Sequence, residues 1–380
     1  MRGHIRKRGS TWAVVVDLGA DDSGRRRQKW HSGYRTKREA TQGLTEILGK
    51  LQAGTYVEPT RQTVAQYLRE WLTAIESTVR PGTWASYRTN VERHAIPRIG
   101  QLPLRHLGAL QLNSLYEELM ADGRCDGSGG LSYRTVRYTH TILHRALRDA
   151  VRWGLLARNP ADLADPPKHR TPEMQVWTTE QLRTFLRSVN DDRLYGFWLL
   201  IATTGLRRGE ALGLRWGDVD LDAGRAAIRQ TLSSVGGRLT FSTPKTAKSR
   251  RSVTLDPSTI AALRAHRRGQ VEERLAWGTA YEDADLVFAR ENGSPIRPDT
   301  MTRQFGELTK RAHLRPLRLH DLRHTYATIA LSAGTHPKVV AERLGHATIA
   351  VTLDTYSHVI PSLQEEAATR LANLILGDAG

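Results

Sequence analysis

Cysteine is almost missing from this chain: Cys125 is the only one in 380 residues. A single thiol excludes an internal disulfide and any cysteine-based zinc site, and it suits a reducing cytoplasm. Lysine is scarce as well, with 9 residues against 47 arginines. No stretch approaches the roughly 18 apolar residues of a membrane-spanning helix, and the first residues form no apolar signal segment. Negative charge is in deficit. Thirty-nine Asp and Glu face 56 Lys and Arg, a formal net charge of +17. A GC-rich coding bias explains arginine in place of lysine but not the excess itself. That excess implies a polyanionic partner, most simply nucleic acid. What remains is globular in composition, 39% hydrophobic and 25% charged, and too long for one ordinary domain.

Three segments follow from the patterning. Residues 1–57 read as a small β-rich module. "TWAVVVDLG" and "RRRQKWHSGY" are β-type runs split by a turn at Asp21–Gly24, and Thr36 with Glu39 forms a capping box before a helix. A three-stranded sheet plus one helix is expected there. Its cations Arg6, Lys7, Arg8, Arg25, Arg27 and Lys29 are candidate DNA contacts. Residues 58–165 turn helical, with Val64, Tyr67, Leu68, Trp71 and Leu72 at 3–4 spacing. A second helix opens near Thr83, a third spans Leu110 to Met120, and a long fourth runs from Ser132 to Trp153. On these helices Arg88, Arg134 and Arg137 are candidate DNA contacts. "ARNPADLADPPKHRTPE" is too rich in proline to continue a helix and marks a boundary. Residues 170–380 read as mostly helical with a small antiparallel sheet near their start.

The chemistry-bearing residues lie mainly in this last segment. In "LRLHDLRHTYAT" helical projection places His320, Arg323, His324 and Ala327 on one stripe, and Leu319, Leu322, Tyr326 and Ile329 on another. Tyr326 therefore belongs to the core. A guanidinium beside an imidazole suits a phosphate, the first forking onto two oxygens and the second moving a proton. His320 and His324 have the spacing of a zinc pair, but Arg323 would set a positive charge beside the ion and no zincin glutamate is present. "TTGLRRGEALGLRW" puts Arg207 and Arg208 after a glycine turn, with Glu210 placed to hold Arg207. "STPKTAKSRRSVTL" puts Lys245 and Lys248 in a turn between β-type runs, where a lysine could reach a DNA groove or simply contact the backbone. "ERLGHATIAVTLDTYSHV" contains Gly345 as a helix end, His346 directly after it, and Tyr356 near the end of the next helix. This stretch also has the form of a helix-turn-helix, which a non-enzymatic DNA-binding protein would use.

Taken together, Arg207 in "TGLRRGE", Lys245 in "PKT…SRR", His320 and Arg323 in "HDLRH", His346 in "LGH" and Tyr356 in "DTYSH" resemble the active-site motifs of the tyrosine recombinase (phage integrase) family. The resemblance spans about residues 175–365. The preceding helical segment is similar to the family's core-binding domain, and residues 1–57 look like the arm-binding module of integrases from phages or integrative elements. It implies a 3′-phosphotyrosyl link formed by Tyr356, with Arg207 and Arg323 clamping the phosphate and His346 bonding it. Lys245 would protonate the leaving 5′ oxygen, with Lys248 as the alternative acid. His320 would assist the tyrosine or bond the phosphate, with Glu210, Asp321 and His324 in support. Because the phosphoester bond energy is retained, no cofactor is implied. A tetramer on double-stranded DNA, a host DNA-bending protein and an excision directionality factor are the implied partners. The amphipathic tail carrying Leu363, Ala367, Leu371 and Leu374 would pack on its own domain or, the preferred reading, dock on a neighbouring protomer. A type IB topoisomerase or a chromosome-resolving recombinase would share the chemistry, but neither is expected to carry the basic N-terminal module.

Overall fold

A computed structural model describes residues 3–20, 24–53, 56–57, 61–168, 174–243, 250–356, 368, 371–373 and 375–376. The chain divides into two compact units, residues 1–171 and 172–380. Lys245 and Lys248 lie outside the described residues, as does most of the amphipathic tail.

The first unit begins with an antiparallel sheet, β1 (Gly3–Arg8), β2 (Thr11–Ala20) and β3 (Arg26–Tyr34), in the order β1-β2-β3. Helix α1 (Lys37–Gln52) covers one face, where Val14 and Val16 pack on Ala40. Its start is the expected cap: the Glu39 N–H donates to Thr36 Oγ1 (3.2 Å), while the Glu39 carboxylate reaches back to the Arg35 N–H (2.9 Å). Strand parity then sorts the cations. Arg6 pairs with Ala13 and lies on the face away from α1, its guanidinium 5.9 Å from the Trp30 ring centroid. Lys29 pairs with Val16 and Lys7 with Trp12, so both share the helix-covered side.

The helical part of this unit comprises α2 (Val64–Ile75), α3 (Pro81–Asn90), α4 (Ile96–Ile99), α5 (Ala109–Asp122) and α6 (Tyr133–Arg152). The second helix opens at Pro81 rather than Thr83, because proline at the first helical position supplies the required φ and has no N–H to satisfy. A π turn, Val91–Ala95, joins it to α4. The core is built on Trp71, fully buried, stacked 5.8 Å from Tyr87 and donating its indole N–H to Asp149 Oδ2 (2.9 Å). Arg88 and Arg134 are exposed; Arg88 stacks over Trp84 (4.8 Å). Arg137, also exposed, donates to the Pro167 carbonyl (3.5 Å).

The second unit holds α7 (Thr179–Ser188), α8 (Tyr195–Thr204), α9 (Arg208–Leu212), β4 (Val219–Asp220), β5 (Arg225–Ile228), β6 (Thr231–Val235), β7 (Arg238–Ser242) and β8 (Arg251–Thr254). Then come α10 (Pro257–Trp277), α11 (Pro298–Arg311), α12 (Asp321–Ser332), α13 (Pro337–Leu344) and α14 (Ile349–Thr355). The run "RAAIRQTL" is not one strand. It breaks after Ile228, and Gln230 donates to the Gly213 carbonyl (2.9 Å). Consequently β4-β5-β8 form one antiparallel sheet and β6-β7 a separate hairpin. Helix α8 is apolar on every side and lies against both α10 and α12. Trp177, Phe185, Trp198 and Phe305 fill the main core. A smaller core gathers Ala327, Leu331, Val340, Leu344 and the Tyr356 ring, from α12, α13 and the end of α14. Among the described residues no helix is long and apolar enough to cross a membrane.

Replacing Trp71 by alanine removes the central ring of the helical core and leaves Asp149 Oδ2 without its indole donor. We expect a loss of about 3–5 kcal/mol in chemical denaturation; an unchanged midpoint would contradict this packing.

Candidate active site

Two glycine turns set the geometry. Helix α8 ends at Gly205, which is left-handed (φ 66°), and a Cβ there would lie 2.5 Å from Tyr326 Cδ1. Helix α13 ends at Gly345 (φ 67°), where a Cβ would lie 2.9 Å from Arg251 Nη1. Only glycine meets both the backbone and the space requirement. The first turn delivers Arg207 and the second His346.

Arg323 joins the two turns. It is buried within α12 and donates to the Gly205 carbonyl (2.8 Å) and the Leu344 carbonyl (2.6 Å). A guanidinium carries five N–H donors, so these two bonds orient it and leave others for a ligand. Burial, then the charge of Arg207, pushes Arg323 down to about 9, which still leaves it charged at neutral pH.

Glu210 is the counterweight. Its buried carboxylate accepts from Arg207 Nη1 (2.7 Å) and the Arg207 N–H (3.0 Å), and it pairs with Arg251 (3.0 Å). Burial alone would raise this carboxyl. The Arg251 hydrogen bonds and the charges of Arg251 and Arg207 outweigh it and hold the group below its ordinary value. Arg251 also donates from Nε to the Arg343 carbonyl (2.6 Å), so one side chain ties β8 to Glu210 and to the end of α13.

The imidazoles complete the cluster. His346 makes a 2.8 Å hydrogen bond through Nδ1 to Thr352 Oγ1, and burial, then Arg323 and Arg207, pushes it down to about 4. His320 stands at the start of α12 with an edge open to solvent. Partial desolvation, then the charges of His324, Arg323 and Arg207, pushes it down to about 4. Tyr356 is 1% exposed, and its hydroxyl is 2.8 Å from His324 Nδ1. Burial pushes the phenol up to about 12, against the pull of Arg323.

The structure therefore brings together Arg207, Glu210, His320, Arg323, His346 and Tyr356. Tyr326 is half-buried, and its hydroxyl accepts from Arg343 Nε (2.5 Å), as a core tyrosine requires. Asp321 serves locally, binding the Arg318 side chain (2.9 Å) and backbone N–H (3.1 Å). Sequence reasoning did not single out Arg251. Its signal was available: Arg251 alternates with Val253 on one face of β8 and with Leu255 just beyond it, both of them buried. The bond from His324 to Tyr356 was not foreseen either, because it joins residues 32 positions apart.

Residues 175–362 match the phage integrase family, residues 63–120 its N-terminal SAM-like domain, and residues 4–51 an arm DNA-binding domain. The chain belongs to the phage integrase family. It is a tyrosine-type site-specific DNA recombinase, a DNA strand transferase. A tyrosine recombinase XerC-like protein of Caldanaerobacter subterraneus subsp. tengcongensis is 27% identical, covering 96% of each chain. The ICEBs1 integrase of Bacillus subtilis is 24% identical over 96% of this chain and 97% of its own. A solved structure of the Tn1549 transposon integrase in complex with a circular intermediate DNA has the same fold. Its TM-score is 0.68 at 22% identity, covering 82% of this chain and all of that one.

Glu210→Gln should destabilise the recombinase on the order of 3 kcal/mol at pH 7, since two guanidiniums lose their buried partner. A depressed carboxyl contributes fully above its unfolded value of about 4.3 and loses that contribution as pH falls through the lower folded value. The gap between wild type and variant in urea denaturation should therefore close below about pH 4. A gap independent of pH would contradict the pairing.

Proposed function

We propose that Tyr356 attacks a DNA phosphodiester and forms a 3′-phosphotyrosyl link, releasing a 5′-hydroxyl. The second half of the reaction reverses this on a partner strand, so the bond is conserved and no nucleotide is consumed. Arg207 and Arg323 clamp the two non-bridging oxygens and offset the charge that builds in the pentavalent transition state. His346 donates to the same phosphate. With the Thr352 hydroxyl donating to Nδ1, the proton of its neutral ring sits on Nε2. His320, at the open edge of the cluster, bonds the phosphate. Lys245 protonates the departing 5′ oxygen, and Lys248 is the alternative acid. Glu210 holds Arg207 in place.

The observation that carries this reading is the pair of Arg323 bonds to Gly205 and Leu344, two residues before Arg207 and His346 respectively. One guanidinium thereby sets the position of the two other phosphate ligands.

The assignment extends to the whole chain. Residues 1–57 bind arm-type sites, 58–165 bind the core site and 170–380 carry catalysis. Arg6 and Arg8 act from the open sheet face beside Trp30, with Lys7, Arg25, Arg27 and Lys29 contacting phosphates from the edges. Arg88, Arg134 and Arg137 contact the core duplex. Four protomers assemble on two duplexes in the host cytoplasm, and the integrated molecule is a phage or mobile element. A host bending protein and an excision directionality factor are the further partners. A DNA-bound lambda integrase tetramer shares the fold at 16% identity, with a TM-score of 0.55 over 90% of this chain.

Nicked suicide duplexes bearing the element's own core site test the assignment. Tyr356→Phe should form no covalent band on a denaturing gel while binding DNA normally. Tyr326→Phe should still form it. The reverse pattern would overturn the assignment.

A further inference from the structure

His320 and His324 stand one helical turn apart, their rings 5.4 Å between centroids and nearly perpendicular. They do different things. His320 is open to solvent, whereas His324 is turned inward and half-buried, with Nδ1 2.8 Å from the Tyr356 hydroxyl. The phenol is itself sealed from solvent and its ring is part of the α12–α13–α14 core. Among the described residues, that imidazole nitrogen is the one polar atom in hydrogen-bond contact with the nucleophilic oxygen. We infer that His324, rather than His320, is the catalytic base for the tyrosine: its Nδ1 lone pair takes the phenolic proton as the new phosphorus–oxygen bond forms. The inference rests on the reading of Tyr356 as nucleophile.

The step balances. The Tyr356 oxygen bonds phosphorus, the phosphorus–5′ oxygen bond breaks, the phenolic proton moves to His324, and the 5′ oxygen receives a proton from the lysine acid. In the return step the incoming 5′-hydroxyl gives its proton to the now deprotonated lysine and bonds phosphorus, the bond from phosphorus to the tyrosine oxygen breaks, and His324 returns its proton to the phenol. The charged surroundings suit a neutral base at rest. Arg323 and His320 flank it on α12, Asp321 lies one turn earlier with Arg318 before it, His346 in the turn between α13 and α14 is near enough to feel its charge, and Tyr356 faces it from the end of α14. Burial, then the opposing influences of Asp321 and the two arginines, hold His324 below its ordinary value. A neutral imidazole can accept a proton at pH 7, and a phenol that burial has pushed up to about 12 needs such an acceptor to attack at that pH.

First-order cleavage of the suicide duplex, followed from pH 6 to pH 9, separates the possibilities. His324→Asn keeps a hydrogen-bonding group near the Nδ1 position but cannot take a proton; His324→Ala removes both. Both variants should bind the duplex within about twofold of wild type and cleave it about 100-fold more slowly at pH 7. Their rates should climb about tenfold per pH unit, as hydroxide replaces the base, where wild type levels off. Recovery of the wild-type rate by His324→Asn would mean that His324 only positions the ring, and would overturn the proposal. So would a variant profile parallel to wild type, or a hydroxide-dependent profile appearing in His320→Ala instead. Tyr356→Phe, run alongside, reports separately on the nucleophile: covalent product from that variant would sink the underlying reading.

Discussion

Cations repel one another, and this recombinase must crowd several of them together before any phosphate arrives. Everything else in the catalytic unit depends on how that crowding is tolerated. Glu210 supplies a buried negative charge shared by Arg207 and Arg251, and backbone carbonyls at Gly205 and Leu344 supply the partial charges that hold Arg323. His320 and His346 relieve the crowding differently, by staying neutral: each is pushed to about 4. The cluster is preorganised and under electrostatic tension. A phosphodiester's negative charge releases that tension, so binding and transition-state stabilisation draw on the same source.

The fold serves this arrangement by bringing distant segments to one point. Two tight turns, each possible only with glycine, end α8 and α13 and present the residues that follow them. Arg323, from α12, ties the turns together. Arg251, from β8, reaches both Glu210 and the end of α13. Tyr356 comes last in sequence and is held differently, as a core aromatic with a polar end. Its burial keeps an intrinsically reactive group away from solvent and makes its proton the difficult one to remove.

Much of this could be read in the sequence because its causes are local. The capping residues at Thr36 and the apolar spacing of α2 depend on near neighbours. The motif residues around Arg207, Arg323 and His346 are distinctive enough to carry the family resemblance. Other features have causes that lie far along the chain. The β-type run at 225–232 splits because Gln230 finds the Gly213 carbonyl, which no periodicity reveals. Arg251 has the signature of a charged residue on a buried strand face, but its partner, Glu210, is 41 residues away. The choice between His320 and His324 for the tyrosine depends on which imidazole points inward, and helical projection places both on the same stripe.

The central claim is that one phosphate is held by this cation cluster while the Tyr356 oxygen displaces a deoxyribose oxygen. Peptide mapping of the trapped protein–DNA adduct tests it most directly. After nuclease and protease digestion, mass spectrometry should find the nucleotide on the peptide containing Tyr356, joined through a 3′ phosphate. A nucleotide on any other residue, or a linkage through a 5′ phosphate, would contradict the account.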